Sequence, residues 1–271
     1  MSERIQKRLA ALGLGSRREI EGWIASGRIR VNGQAARLGD SLQGDERVTL
    51  DGREIDMGGI RGLRPRVLRY HKRAGTITTR SDPEGRPTVF QDLPVLARGR
   101  WISVGRLDLN TAGLLLMTTD GQLADRLMHP SSQIEREYAV RLRGEVTAPL
   151  IERLTSGVVL EDGPARFEKV RPAGGTGVNH WYHVVIAEGR KREVRRLWES
   201  QGLTVSRLIR VRYGPQRLPP WLRPGKWEEV TGKELSALYA AAGLTAPSSG
   251  RPASRDRHRR APGRTGRRVA R

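Results

Sequence analysis

The sequence predicts an α+β protein in three parts: a small N-terminal domain of two helices and a short sheet, a larger domain on a mainly antiparallel β-sheet, and a disordered basic C-terminal tail. Three observations predict this. Helically spaced apolar residues near the N-terminus give way to hairpin signals; short β-rich runs alternate with helical patches through the middle; the end is dominated by Arg, Pro, Ser and Gly. The parts fall at residues 1–60, 61–245 and 246–271.

Taken in order, Ile5, Leu9 and Leu12 share one helical stripe, and Ser16-x-x-Glu19 is a capping box that opens a second helix before Ile20, Trp23 and Ile24. Gly27 closes that helix. Arg28 to Val31 reads as a strand, Asn32-Gly33 as a hairpin turn, and Arg47 to Leu50 as a further strand ending at Asp51-Gly52. The run MGGIRGLRP at 57–65 has the composition of a linker. Beyond it, Val67–Tyr70, Trp101–Val104, Leu114–Met117, Tyr138–Leu142 and Trp181–Ile186 are the strand-like runs. Asp120 reads as the N-cap of a helix carrying Leu123 and Leu127, and Glu161-Asp162-Gly163 as a turn. From about Lys191 to Ser200, Val194, Leu197 and Trp198 share one helical face, which leaves Arg192, Arg195 and Arg196 facing out.

A hydrophobic content of 37% is enough for a proper core, while a formal charge of +21 favours a polyanionic partner, with nucleic acid ahead of an anionic membrane surface. The tail contributes nine arginines against one aspartate, +8 of that +21, and reads as an arm that binds phosphates without sequence preference. In the N-terminal domain Arg4, Lys7, Arg8, Arg17, Arg18, Arg28 and Arg30 crowd the polar positions; those flanking the second helix suit a phosphate backbone, and a solvated charged face is the plainer reading. There is no cysteine, and the five histidines lack metal-ligand spacing. Chemistry must then rest on carboxylates, Tyr, Lys or Arg. No apolar run has the length of a membrane span or a signal peptide, so the expected location is the cytoplasm.

The segment Val104 to Gly113, VGRLDLNTAG, places Asp108 in a Gly-bounded loop beside Arg106 and between two strand-like runs. Read on its residues alone, it could equally be a structural ion pair with turn bonds from Asn110 and Thr111. The run RIQKRLAALGLGSRREIEGWIASGRIRVNGQ resembles the ribosomal S-four-type RNA-binding domain. GRLDLNTAGLLLMTTDG, then REYAV from Arg136, then EGRKREVRRLWESQGL from Glu188 together resemble the bacterial ribosomal-RNA pseudouridine synthases. DPEGRPTVF from Asp82 and MHPS from Met128 point to a branch acting on large-subunit RNA.

The resemblance implies that Asp108 is the catalytic aspartate, that Tyr138 packs on the target base and assists proton removal, and that Arg195 pairs with the aspartate. It also implies a substrate-side role for Lys72, although Arg73 stands where the family has Pro, and it makes Arg106 a candidate to hold the opened site. Arg17, Arg18 and Arg28 are the candidate RNA contacts of the N-terminal domain. These roles make physical sense, because uridine isomerisation detaches the base, rotates it and rejoins it through carbon, which needs a carboxylate and a proton acceptor but no cofactor and no metal. A nearby guanidinium would keep a carboxylate covered by the base ionised. The expected partner is ribosomal RNA, large-subunit RNA or an assembling large subunit, and the expected state is a monomer. A non-enzymatic ribosome-assembly protein is the alternative; a nuclease would need an acidic metal cluster or paired histidines.

Overall fold

The computed structural model describes residues 2–58 and 64–247. The central part of the expected linker and the tail from 248 onward lie outside the described residues.

The N-terminal segment runs β1 (Glu3–Arg4), α1 (Ile5–Leu12), α2 (Arg17–Ala25), β2 (Ile29–Val31), β3 (Gln34–Ala35), β4 (Ser41–Leu42), β5 (Val48–Leu50) and β6 (Arg53–Glu54). Its turns follow local chemistry. The Ser16 hydroxyl accepts from Glu19 N at 3.1 Å while Ser16 N donates to the Glu19 carboxylate at 2.6 Å, completing the capping box. Asn32-Gly33 and Asp51-Gly52 both take paired positive φ, the conformation a two-residue hairpin needs. Ile5, Leu9, Ile20, Ile24, Ile29 and Val48 close the core between the helices and the sheet β3-β2-β5-β6. This domain meets the next where Gly13 backs onto Gly99 and Arg98 donates to Asp56 at 3.0 Å.

The second domain runs β7 (Val67–Lys72), β8 (Ile102–Val104), β9 (Ala112–Thr118), α3 (Gly121–Met128), β10 (Arg136–Arg143), α4 (Ala148–Ser156), β11 (Val158–Leu160), β12 (Gly163–Ala165), β13 (Lys169–Thr176), β14 (Asn179–Ile186), α5 (Glu193–Glu199), β15 (Thr204–Tyr213), β16 (Gln216–Arg217), β17 (Trp227–Glu229) and α6 (Gly232–Ala241). The principal sheet has the order β13-β14-β10-β15-β9-β7-β17, with β8 on β9 and β16 on β15. Every pairing in it is antiparallel except β15 with β9. The five strand runs expected from the sequence lie within or overlap β7, β8, β9, β10 and β14. Strand β15 carries the run SRLIRVR, whose arginines hide its period, yet it is the central strand that joins the two halves.

One face of the sheet packs on α4, α5 and the 76–101 loops, around Trp198, Phe167 and Tyr182; ring centroids 5.3 and 5.8 Å apart contribute about 0.5–1.5 kcal/mol per pair beyond area burial. The other face is covered over β7, β8 and β9 by α3 and α6. Asp120 caps α3, accepting from Gln122 N at 2.8 Å and Leu123 N at 3.2 Å, and Asp162 sits in the β11–β12 turn holding Arg196 at 2.7 Å.

Strands β15 and β9 pair only through Ile209 with Ala112 and Arg210 with Gly113. Gly113 has φ +105°, and a Cβ there would overlap the backbone of Arg210. Gly113→Ala is therefore expected to cost about 3 kcal/mol in urea unfolding; an unchanged midpoint would show that the two strands can separate freely.

Glu137, 3% exposed on β10, binds His183 at 2.9 Å, Arg171 at 2.9 Å and Arg212 at 3.0 Å. Burial would raise its pKa, but hydrogen bonds and charge from His183 and Arg212 outweigh this and hold it at about 2. Its folded value lies below the unfolded 4.5, so its stabilisation is complete above that pH and is lost as pH falls toward 2. The parent protein should lose stability faster than Glu137→Gln over that interval, and parallel curves from pH-dependent urea melts would refute the coupling.

Candidate active site

Cross-strand register places Val184, Tyr138, Arg210, Gly113 and Lys72 in one row across β14, β10, β15, β9 and β7. Tyr138 and Lys72 share strand parity with core residues of the same face, Tyr138 with Val140 and Lys72 with Tyr70 and Leu68. The segment between β8 and β9, carrying Asp108, folds over that row, and its Leu107 is buried in the same core as Tyr138.

Lys72 departs most from the sequence reading. It is the last residue of β7 and 0% exposed, so it is not an RNA contact. Its Nζ donates to four backbone carbonyls, Thr111 at 2.8 Å, Arg73 at 2.9 Å, Asp108 at 3.0 Å and Leu109 at 3.3 Å. Burial pushes its pKa down to about 8, against the opposing charge of Asp108 and with help from Arg210. The physical reason for the correction is strand parity: the alternation that sends Leu68 and Tyr70 into the core sends Lys72 inward with them, and the loop carbonyls are the acceptors within reach.

The same loop is tied elsewhere. Gly75 N donates to Leu109 O at 2.8 Å, Thr78 Oγ1 to Leu107 O at 3.0 Å, and Thr111 N to Asp108 O at 3.0 Å. Held at its backbone, the loop leaves the Asp108 side chain exposed, with no hydrogen bond and no cation within 4.0 Å among the described residues. Arg106 is also exposed and forms no ion pair with Asp108, which removes the structural ion-pair reading of this loop.

Arg195 likewise lies differently from the expectation. Helix α5 begins at Glu193, Arg192 precedes it at φ 52°, and Arg195 is 7% exposed instead of facing out with its neighbours. Its guanidinium donates to Val205 O at 2.8 Å and Asn110 O at 3.0 Å rather than to the Asp108 carboxylate. The short helix rests on β15, so the side chain points inward and meets carbonyls of the strand and the loop first. Arg195 and Lys72 thus grip the same loop from two sides, and the charge of Asp108 acts on both.

Arg210 was not legible in the sequence. Where β15 and β9 part, it fills the gap, donating Nε to Leu114 O at 2.8 Å and lying 5.0 Å from the Tyr213 ring. Thr111 Oγ1, Arg195 Nε and Arg210 Nη2 are buried without a partner among the described residues, three unspent polar groups around one loop. In the N-terminal domain Arg17 and Arg18 are exposed on α2, whereas Arg28 is committed to Asp51 through two bonds of 2.8 and 2.6 Å and lies over Trp23. Among the described residues no cluster of His, Cys, Asp or Glu has a metal-binding arrangement, and no helix is long and apolar enough to cross a membrane.

Comparison with known proteins adds independent findings. A family described as RNA pseudouridylate synthase matches residues 66–200, and one described as S4 domain matches residues 3–53. The chain is 57% identical over 245 residues to the ribosomal large subunit pseudouridine synthase B of Pseudomonas aeruginosa, covering 90% of this chain and 64% of that protein. It is 53% identical to the protein so named in Haemophilus influenzae, covering 90% of this chain and 69% of that one, and 51% identical to the one in Escherichia coli K12, covering 96% and 90%. The chain thus spans just under two thirds of the Pseudomonas relative. A solved structure titled as that of a pseudouridylate synthase superposes with TM-score 0.60 at 24% identity over 88% of this chain and all of that one, which shows a shared fold.

Lys72→Met keeps the stem and removes the ammonium from four carbonyls. It is expected to lower stability by about 3 kcal/mol, and to lower turnover more than RNA affinity because the Asp108 loop is no longer fixed. Wild-type turnover in a folded Lys72→Met protein would show that the loop holds its shape without the lysine.

Proposed function

Because the chain belongs to the pseudouridine synthase family, with an S4 domain ahead of the catalytic domain, we propose that it isomerises a uridine to pseudouridine in large-subunit ribosomal RNA. The observation that carries this is the unpaired carboxylate of Asp108, presented on a loop whose backbone is fixed by Lys72 and Arg195, above the strand that bears Tyr138. The relatives' names, which specify the large ribosomal subunit, support the substrate class.

The reaction breaks the bond from base nitrogen to sugar, turns the uracil and joins C5 to the sugar, with the C5 proton lost and a nitrogen proton gained. The product is an isomer, so no electrons or atoms are exchanged with a cofactor. The base must leave its stack, at a cost of a few kcal/mol that pocket contacts offset. Asp108 acts on the sugar, as nucleophile or base; Tyr138 offers a ring face to the uracil and its hydroxyl to proton removal. Arg195 is a positioning residue that holds the Asp108 loop through Asn110 O. Arg106, exposed beside Asp108, holds the emptied stack, and Arg17 and Arg18 contact RNA phosphates. The enzyme acts as a monomer in the cytoplasm.

The test is tritium release from large-subunit RNA transcribed with 5-tritiated uridine. Asp108→Asn should lower release by about a thousand-fold or more with RNA affinity retained, and Arg195→Ala by about a hundred-fold. Full release by Asp108→Asn would remove the aspartate from the chemistry, and no release by the parent would leave the RNA-binding reading in its place.

A further inference from the structure

The half of the sheet formed by β13, β14, β10 and β15 has a second face that, beyond the Tyr213 end of β15, no helix covers among the described residues. Tyr138, Val140, Leu142, Tyr182 and Val184 point to the α5 side, so the residues between them point away. Register aligns Arg141 with Trp181 on one side and with Arg207 on the other, and aligns Ala139 with His183, which is in turn opposite Arg171. Helices α3 and α6, which cover this side of the sheet over β7, β8 and β9, reach only the Tyr213 end of β15.

The exposed ends of these side chains are nearly all cationic. Arg171 is 53% exposed, Arg207 is exposed without an ion-pair partner among the described residues, and Arg141 is half-buried, steadied by a 2.9 Å bond to Ser206 Oγ. Trp181 is half-buried beside Arg141. The buried carboxylate on this face, Glu137, is fully engaged by His183, Arg171 and Arg212, so it pre-orders two guanidinium groups and leaves a net positive surface. Cross-strand neighbours sit about 5 Å apart, and alternate residues of one strand about 7 Å apart, so the face offers a flat array of charges around one indole.

We infer that this face binds a second, single-stranded segment of the RNA, with phosphates on Arg141, Arg171 and Arg207 and a base stacked on Trp181. Cations next to an aromatic on an open sheet match a polynucleotide, which supplies a charged backbone and flat bases at once. An acidic protein segment would use the charges and leave the indole without a matched partner. The sheet lies between this face and Tyr138, so the strand held here is not the one that delivers the target uridine. The inference rests on RNA being the ligand, and it adds where a distant part of that RNA is gripped.

The experiment uses the full chain and two probes: large-subunit RNA transcript, and a short hairpin excised around the modified uridine once that position is mapped with the parent protein. The triple variant Arg141→Gln, Arg171→Gln, Arg207→Gln should flatten the plot of log affinity against log salt for the transcript by about 2 units, at about 0.7 per lost single-strand phosphate contact. Trp181→Leu should weaken transcript binding by about ten-fold. Both should release tritium from the hairpin at the parental kcat, since neither touches the Asp108 loop. If the triple variant does not fold, Arg207→Gln alone, whose side chain is exposed and unpaired, should flatten the slope by about 0.7. Unchanged slope and affinity in folded variants would overturn the inference and leave an acidic protein as the occupant. A parent that binds the transcript but releases no tritium would sink the proposed reaction, while the transcript slopes would still decide the surface.

Discussion

The candidate site depends on one buried ammonium. Lys72 ends a buried strand with its charge inside the protein, a position that would be prohibitively costly unless its N–H groups were hydrogen-bonded. Four backbone carbonyls accept these bonds, and three belong to the loop that carries Asp108. The cost of burying the lysine and the shape of the loop are therefore one constraint: the loop cannot move away without stranding the charge, and the charge is tolerable only because the loop is there. Arg195 repeats the device from the other side through Asn110 O.

That arrangement separates fixing the aspartate from pairing it. An ion pair would hold the carboxylate by its own oxygens and compete with any substrate for them. Holding the loop by its carbonyl oxygens leaves both carboxylate oxygens available while keeping two positive charges within electrostatic reach. The row from Lys72 through Gly113 and Arg210 to Tyr138 gives the same result at the level of the sheet. The parallel step between β9 and β15, made possible by a residue without Cβ, sets the aspartate loop and the tyrosine two strands apart on one face.

The chain's excess of positive charge consequently has two uses. Arg69, Arg136, Arg195 and Arg210 are buried, and the bonds of Arg136, Arg195 and Arg210 to main-chain carbonyls satisfy acceptors at places where strands diverge or loops cross the core. Arg17, Arg18 and Arg207 face solvent, and Arg171 is half-exposed while paired with Glu137. Counting basic residues in the sequence mixes the two groups: Lys72 is buried and holds a loop, and Arg28 is exposed but paired with Asp51.

The sequence by itself determined what local chemistry decides. The capping box at Ser16, the Asn32-Gly33 and Asp51-Gly52 turns, the Asp120 cap and the five strand runs depend on residues within a few positions of one another, so their signals survive without knowledge of the fold. The Gly-bounded loop of Asp108 was visible as a local pattern, but its residues alone left a structural ion pair equally open, and the family resemblance of the motif is what singled the aspartate out. Only the tertiary structure decided which way Lys72 and Arg195 turn, that Arg210 fills a gap, and that β15 is the central strand. A charged side chain points inward only if acceptors from distant segments wait for it, and the carbonyls of residues 108–111 come to Lys72 and Arg195 through sheet register rather than through proximity in the chain.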